Sequence, residues 1–375
     1  MRKMKYKKGI LLVFVFLLGC SDQKIIEKTG FVRSIAYDVA NNKEGDDLIK
    51  LTISIPKSNE KEALIYSTNA KTSREARMIF DRQNNRKIVN GQVRQVLFGD
   101  KFAKKGIWKH IDALVRDPSV GNRLHVLVVE ESANKLLSRT YPQGQTVGEY
   151  IDDLIRTEAN TNDIPFTNLY SFARDYYDDG TDPVCAIINE TKDSLIIDGI
   201  ALFRNDQYVA KIKPEDKMFF ALLHDNLGSG NIYMDLSEID QNPNEQAALL
   251  YISSKRKIHI VSSPDTLLHG GKLMVSIDIN IIGSLLEYSG ELNMKNNADQ
   301  KELESKMSAL VEKKSLELVD IMKKNKVDPL GIGQYARNII PYSEWLKLPQ
   351  RSILSDADYT IHAKVKIKDF GRLQQ

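Results

Sequence analysis

The chain has 375 residues, room for two or three domains of ordinary size, and its 42% hydrophobic and 27% charged content is that of a globular protein. The formal charge of +3 sits at the start: residues 1–19 hold five cations and no anions, so 48 basic side chains face 50 acidic ones in the remainder. No global basic excess is left to drive binding to nucleic acid, which is excluded as a partner, and two cysteines, Cys20 and Cys185, exclude a disulfide framework.

Arg2, Lys3, Lys5, Lys7 and Lys8 precede an uncharged apolar run from Gly9 to Leu18, and Gly19 and Cys20 follow it. A charged head, a short apolar run and a small residue before the cut mark an export signal. The run is about half of the roughly 20 residues that a spanning helix needs. Leu17-Leu18-Gly19-Cys20 is the lipobox pattern of bacterial lipoproteins, in which the thiol is acylated and the peptide bond before it is cut. Residues 1–19 are therefore read as a lipoprotein signal peptide and Cys20 as the lipidated residue. A plain signal peptide is the bland alternative; Cys20, at the end of the apolar run, weighs against it. Two acyl chains, at ~0.8 kcal/mol per buried methylene, anchor stably where one chain is marginal. Residues 20–30 are polar and serve as a tether.

A first α/β domain is predicted over residues 31–145. Strands are expected at 31–37 and 49–55. In the second, Leu51, Ile53 and Ile55 alternate with Lys50, Thr52 and Ser54, a pattern with one buried and one wet face. A strand at 63–68 precedes a helix over 72–85, where Thr72 and Glu75 have capping-box spacing. A strand at 93–98 and a helix over 102–115 come next. Leu124–Val129 is a continuous apolar run, the mark of a strand covered on both faces. The alternation of strand and helix argues for some parallel pairing.

A second α/β domain is predicted over 146–228, with helices at 147–159 and 169–176 and strands at 184–189, 195–203 and 208–212. The segment Asp178 to Pro183 is a break, and Pro214 opens a short helix to about His224. A third α/β domain is predicted over 229–375. Its long strands are expected at 249–261 and 272–282, and its long helix over 300–325, stopped by Val327-Asp328-Pro329. The last strand, 359–368, turns Ile361, Ala363, Val365 and Ile367 inward and His362, Lys364, Lys366 and Lys368 outward. The fold class is thus mixed α/β, three domains each with a central mixed sheet flanked by helices.

Few residues have the spacing of a catalytic or metal site. The six histidines (110, 125, 224, 259, 269 and 362) are scattered, with no two-His helix spacing and no neighbouring cysteine. No serine sits in a Gly-x-Ser-x-Gly elbow. Cys185 lies in an apolar strand and reads as a small core residue. The acidic run at 178–182 lacks the ligand alternation of a calcium loop. Gly331-Ile332-Gly333-Gln334-Tyr335-Ala336 matches a dinucleotide fingerprint in letters, but it follows a helix and a proline where that mechanism needs a strand. A tight turn, using glycine for its backbone freedom, is the expected reading. No enzyme, cofactor or metal is implied. The outward lysines of the last strand are expected to wet the sheet and guard its edge, with acidic lipid or a partner as the alternative role.

Several stretches in order carry a resemblance: the lipobox, Gly30-Phe31-Val32, Gly91 to Gly99, Ala103 to Ile107, Arg116-Asp117-Pro118, Asp198 to Phe203, and the long helix followed by Asp328 to Gly333 and Trp345. Together the chain resembles the C-subunit lipoproteins of spore germinant receptors, the Ger(x)C family. One departure is Ser21, where the family often has tryptophan. The resemblance implies a non-catalytic, lipid-anchored subunit on the outer face of the spore inner membrane, needed for nutrient-triggered germination. It implies two integral-membrane partners, the receptor's A and B subunits. The turn at Asp328, Pro329, Gly331 and Gly333 is the candidate partner contact. The rival expectation is a lipoprotein that captures a small nutrient in an interdomain cleft.

Overall fold

A computed structural model of the chain describes residues 29–40, 48–57, 62–121, 123–161, 164–165, 167–240 and 244–370. The signal peptide, Cys20 and most of the tether lie outside the described residues.

The strands are β1 (Thr29–Phe31), β2 (Ser34–Val39), β3 (Ile49–Pro56), β4 (Ala63–Ala70), β5 (Lys87–Val89), β6 (Gln95–Gly99), β7 (His125–Val129), β8 (Val184–Glu190), β9 (Leu195–Arg204), β10 (Gln207–Ile212), β11 (Ile232–Asp235), β12 (Gln246–Ile260), β13 (Met274–Tyr288) and β14 (Asp358–Asp369). Among the described residues they form an eight-stranded sheet in the order β10-β9-β8-β7-β6-β2-β3-β4, a four-stranded sheet in the order β11-β12-β13-β14, and the small pair β1-β5. In the large sheet β2, β6, β7 and β8 are parallel, and antiparallel hairpins extend it at both ends. The fold is mixed α/β, with sheets flanked by helices, as the strand–helix alternation predicts.

The main helices are α1 (Ser73–Gln83), α2 (Trp108–Val115), α3 (Ala133–Ser138), α4 (Val147–Asn160), α5 (Leu169–Tyr177), α6 (Lys217–His224), α7 (Asn297–Asn325) and α8 (Ile332–Ile339). Thr72 caps α1 by accepting the Glu75 N–H at 3.1 Å, while Glu75 accepts from the Lys71 N–H rather than from Thr72 itself. A full capping box is made at α4 by Thr146 and Glu149. The helix expected over 102–115 is two pieces, Asp100–Ala103 and α2, because Gly106 turns the chain at φ +109.

Both faces of the large sheet are covered, which explains its apolar runs. Val96, Phe98, Val126, Val128, Cys185 and Ile187 point into one core with α1, α2 and α5. Their neighbours Leu97, Leu127, Val129, Ala186 and Ile188 point into the other, with α3, α4 and α6. The wet face expected on β3 is dry: Thr52 and Ser54 are buried, and the Thr52 hydroxyl accepts from the Asn134 amide of α3 at 2.9 Å. Alternation in sequence records polarity, and here a short helix, absent from the sequence reading, covers the polar side.

The boundary expected at 145/146 falls in the connection between β7 and β8, which are adjacent in one sheet. The first two predicted units thus share a sheet. The second core runs on without a break through α6, whose Met218 to Leu223 are all buried, into the four-stranded sheet and α7.

Candidate functional site

The turn after α7 and the acidic break before β8, 146 residues apart, come together. The Asp328 N–H donates to Asp182 Oδ2 at 2.8 Å, and the Asp182 N–H donates back to the Asp328 carbonyl at 2.9 Å. The Thr181 hydroxyl donates to the same carbonyl at 3.2 Å. Arg351 then reaches both oxygens of Asp182, each at 3.0 Å, and donates to the Lys326 carbonyl. Asp182 is 5% exposed, so this bidentate pair neutralises a carboxylate that is out of water. A second contact lies beside it: Arg337 of α8 pairs with Asp178 at 2.9 Å and with Asp179, and the Gln334 amide donates to Asp178 at 3.0 Å. The backbones touch as well. A Cβ added at Gly333 would lie 2.8 Å from Gly180 Cα, and one added at Gly180 would lie 2.6 Å from the Gln334 nitrogen.

Asp328 organises the turn from inside. Its carboxylate accepts the N–H groups of Ile332 at 3.0 Å and Gly333 at 2.7 Å, the first donors of α8, while Gly331 takes the left-handed conformation at φ +70. Burial pushes the Asp328 carboxyl up to about 7; these N–H bonds act in the other direction, and the nearby Asp182 adds to the rise. Residues 328 to 333, including Pro329, are all buried; Asp328, Gly331 and Gly333 lie against this chain's own 178–182 loop, and Leu330 and Ile332 join the apolar core. The candidate partner contact at Asp328, Pro329, Gly331 and Gly333 therefore offers no open surface. The dinucleotide-like letters have a tertiary explanation: the nest that would cradle a phosphate already holds Asp328.

The same substitution occurs where an α/β sheet usually binds ligands, beyond the carboxyl ends of its parallel strands. Asp38, at the end of β2, accepts the Ala133 N–H at 3.0 Å and the Asn134 N–H at 2.7 Å, filling the start of α3. Burial holds its carboxyl above the usual range, against those two N–H bonds. A side chain at Gly99 would collide with Asp38.

A cleft of about 740 Å³ opens between α1, α2 and strands β2 and β3. Its floor is apolar (Ile35, Leu51, Ile53 and Phe80). Its polar groups are largely spoken for: Arg77 donates to the Ile88 carbonyl at 2.6 Å, Asn90 to Asp117 at 3.0 Å, and Ser73 bridges Tyr37 and His110 at 3.2 Å each. Burial holds the His110 imidazole down at about 4, so it is neutral at pH 7. Cys185 is fully buried and its thiol is pushed up by burial, a core position as the sequence predicts. Among the described residues no helix is long and apolar enough to cross a membrane.

Sequence reading singled out both halves of the 178–182 and 328–333 contact but not their meeting. Arg351 and Asp38 were missed altogether, because single charged residues without motif spacing give no local signal.

Two family models match the chain in sequence order. One, described as the spore germination protein N-terminal domain, covers residues 22–190, and the other, described as spore germination B3/GerAC like, C-terminal, covers residues 198–371. Similar proteins include spore germination protein GerQC of Bacillus cereus, 26% identical over 96% of this chain and 97% of the relative. Putative spore germination protein YfkR of Bacillus subtilis (strain 168) is 24% identical over 100% of this chain and 98% of the relative. The crystal structure of the GerBC protein superposes with a TM-score of 0.54, covering 89% of this chain and 96% of that one at 14% identity, a likeness of fold.

Proposed function

Because the chain belongs to the Ger(x)C family of spore germination proteins, we propose that it is the lipid-anchored, non-catalytic subunit of a nutrient receptor complex. The observation that carries this reading is the ordered match of both family domains over residues 22–190 and 198–371. The lipobox supports the anchor: Cys20, acylated, holds the mature chain at the outer face of the spore inner membrane. The two integral-membrane subunits of the receptor are its partners there, and this chain organises or transmits rather than reacts. The internal filling of both phosphate-like nests by Asp38 and Asp328 supports a non-catalytic role, since the chain's own carboxylates take the donors a substrate would need.

A solute-binding role has one observation in its favour, the cleft between α1 and α2. Arg77, Asn90 and Ser73 of its lining bond to the protein, whereas a ligand site needs several polar groups left free and convergent.

The test uses spores lacking the chain, complemented with the natural sequence or with Cys20→Ala. Loss of the chain is expected to slow germination in one nutrient and leave vegetative growth intact, and Cys20→Ala is expected to leave the chain unlipidated and to restore germination poorly. Normal germination with impaired growth would sink the receptor reading; full rescue by an unlipidated Cys20→Ala chain would sink the anchor alone.

A further inference from the structure

The four-stranded sheet has one face packed on α7 and one face open. The open face is strongly and one-sidedly charged. Along β12, Lys255, Lys257 and His259 are exposed; along β14, His362, Lys364, Lys366 and Lys368 are. The register puts them in rows across β13: Lys257, Asp278 and His362; Lys255, Asn280 and Lys364; Ser253, Ile282 and Lys366. Asp278 is the one acid inside this array, and it lies 3.6 Å from His259. The other acids sit at its ends: Asp358 pairs with Lys272, Asp369 accepts from Ser284, and Glu287 is exposed near β11. None of the five lysines has an ion pair among the described residues. The charge is local, because the chain beyond residue 19 has fewer basic than acidic side chains.

Guarding the sheet edge does not explain them. The outer N–H groups of β14 are already taken: Ala363 donates to Glu312 at 2.9 Å, Val365 to Ser308 at 3.0 Å and Ile367 to Glu304 at 2.9 Å, all from α7. The lysines point instead from the open face. Large apolar groups share its other end. Ile282 and Leu286 are 45% and 51% exposed, and Tyr251 is 76% exposed on a bulge that holds it at φ +51. A left-handed tyrosine with its ring in water is a costly arrangement in a monomer.

We propose that this face docks on an anionic bilayer, with Lys255, Lys257, Lys364, Lys366 and Lys368 set against lipid phosphates and Tyr251, Ile282 and Leu286 entering the headgroup layer. Long lysine stems beside aromatic and aliphatic groups suit a membrane interface. A protein partner would favour arginine at such a surface, and the one arginine of β12, Arg256, turns inward to the Leu223 carbonyl. The inference rests on the membrane location proposed above and adds a second contact to the anchor, fixing which side of the chain faces lipid.

The test reads each lysine with a water-soluble amine-reactive label on the full, lipidated chain, reconstituted into vesicles of phosphatidylcholine alone or with one-third phosphatidylglycerol. The five lysines are expected to lose about fivefold or more of their labelling in the anionic vesicles and to regain it in high salt, where the screening length shrinks to roughly 3 Å at 1 M. Lys71, Lys301 and Lys324, exposed elsewhere, are expected to stay level. Lys364→Glu with Lys366→Glu, two exposed substitutions that leave the core intact, are expected to abolish the protection of Lys255 and Lys257. Equal labelling in both vesicle types overturns the proposal. So does protection seen only in native spore membranes and never on anionic vesicles, which would assign the face to an acidic protein. Failure of the chain to float with neutral vesicles would count against the Cys20 anchor only, because the anionic footprint reads the face separately.

Discussion

Asp328 and Asp38 show how a single buried carboxylate turns a site-like loop into structure. Each takes two backbone N–H groups at a helix start, and each is held above the ordinary aspartate range mainly by burial. For Asp328 the consequence is a pH dependence with a definite sign. Its value of about 7 lies above the ordinary 3.8, so between them the folded chain holds a proton that the unfolded chain has lost. The stability this group supplies is complete near the lower value and is lost as pH rises through about 7. Denaturant midpoints measured at about pH 5 and about pH 8 should therefore fall more for the natural chain than for Asp328→Asn. The variant should be weaker at the lower pH by roughly 1–3 kcal/mol, because its amide leaves one of the two N–H donors unpaired. An unchanged pH slope in Asp328→Asn would assign the titration to another group.

At the scale of the element, β14 and α7 fit by period. Glu304, Ser308 and Glu312 are spaced four apart on the helix, a rise of about 6 Å, and meet N–H groups two apart on the strand, about 6.7 Å. The helix thus caps a sheet edge that would otherwise be open to pairing. Replacing all three residues by alanine should cost about 1 kcal/mol for each lost bond and quicken amide exchange at residues 363, 365 and 367 by about tenfold, with the other strands unaffected. Slow exchange at those amides in the triple variant would show that the edge is held by packing alone. Both elements were legible in the sequence, the helix from its apolar spacing and the strand from its alternation. Their pairing was not, because Glu304, Ser308 and Glu312 read as ordinary solvent-facing residues until the strand is beside them.

The molecule as a whole is joined in two ways. One apolar core runs from Ala36 and Leu97 in the large sheet, through α6, to Val365 and Ile367 in the small one. Asp182, Asp328 and Arg351 add a polar joint between the segment before β8 and the segment after α7. A division into units at 31–145, 146–228 and 229–375 would favour separate melting events, whereas a shared sheet and an unbroken core favour one. We expect a single calorimetric transition whose two enthalpies, calorimetric and van't Hoff, agree. Two resolved peaks would mean that the segments on either side of α6 fold independently.

Local chemistry was sufficient to specify the Thr72 cap of α1, the double-sided apolar strands and the core position of Cys185. Each depends on the order of neighbouring side chains, and that order is written in the chain. The meeting of Asp182 with Asp328 and Arg351, the dry polar side of β3 and the row of lysines across β12 and β14 needed the tertiary structure. They depend on which segments, far apart in sequence, burial of apolar surface brings into contact, and no local pattern encodes that choice.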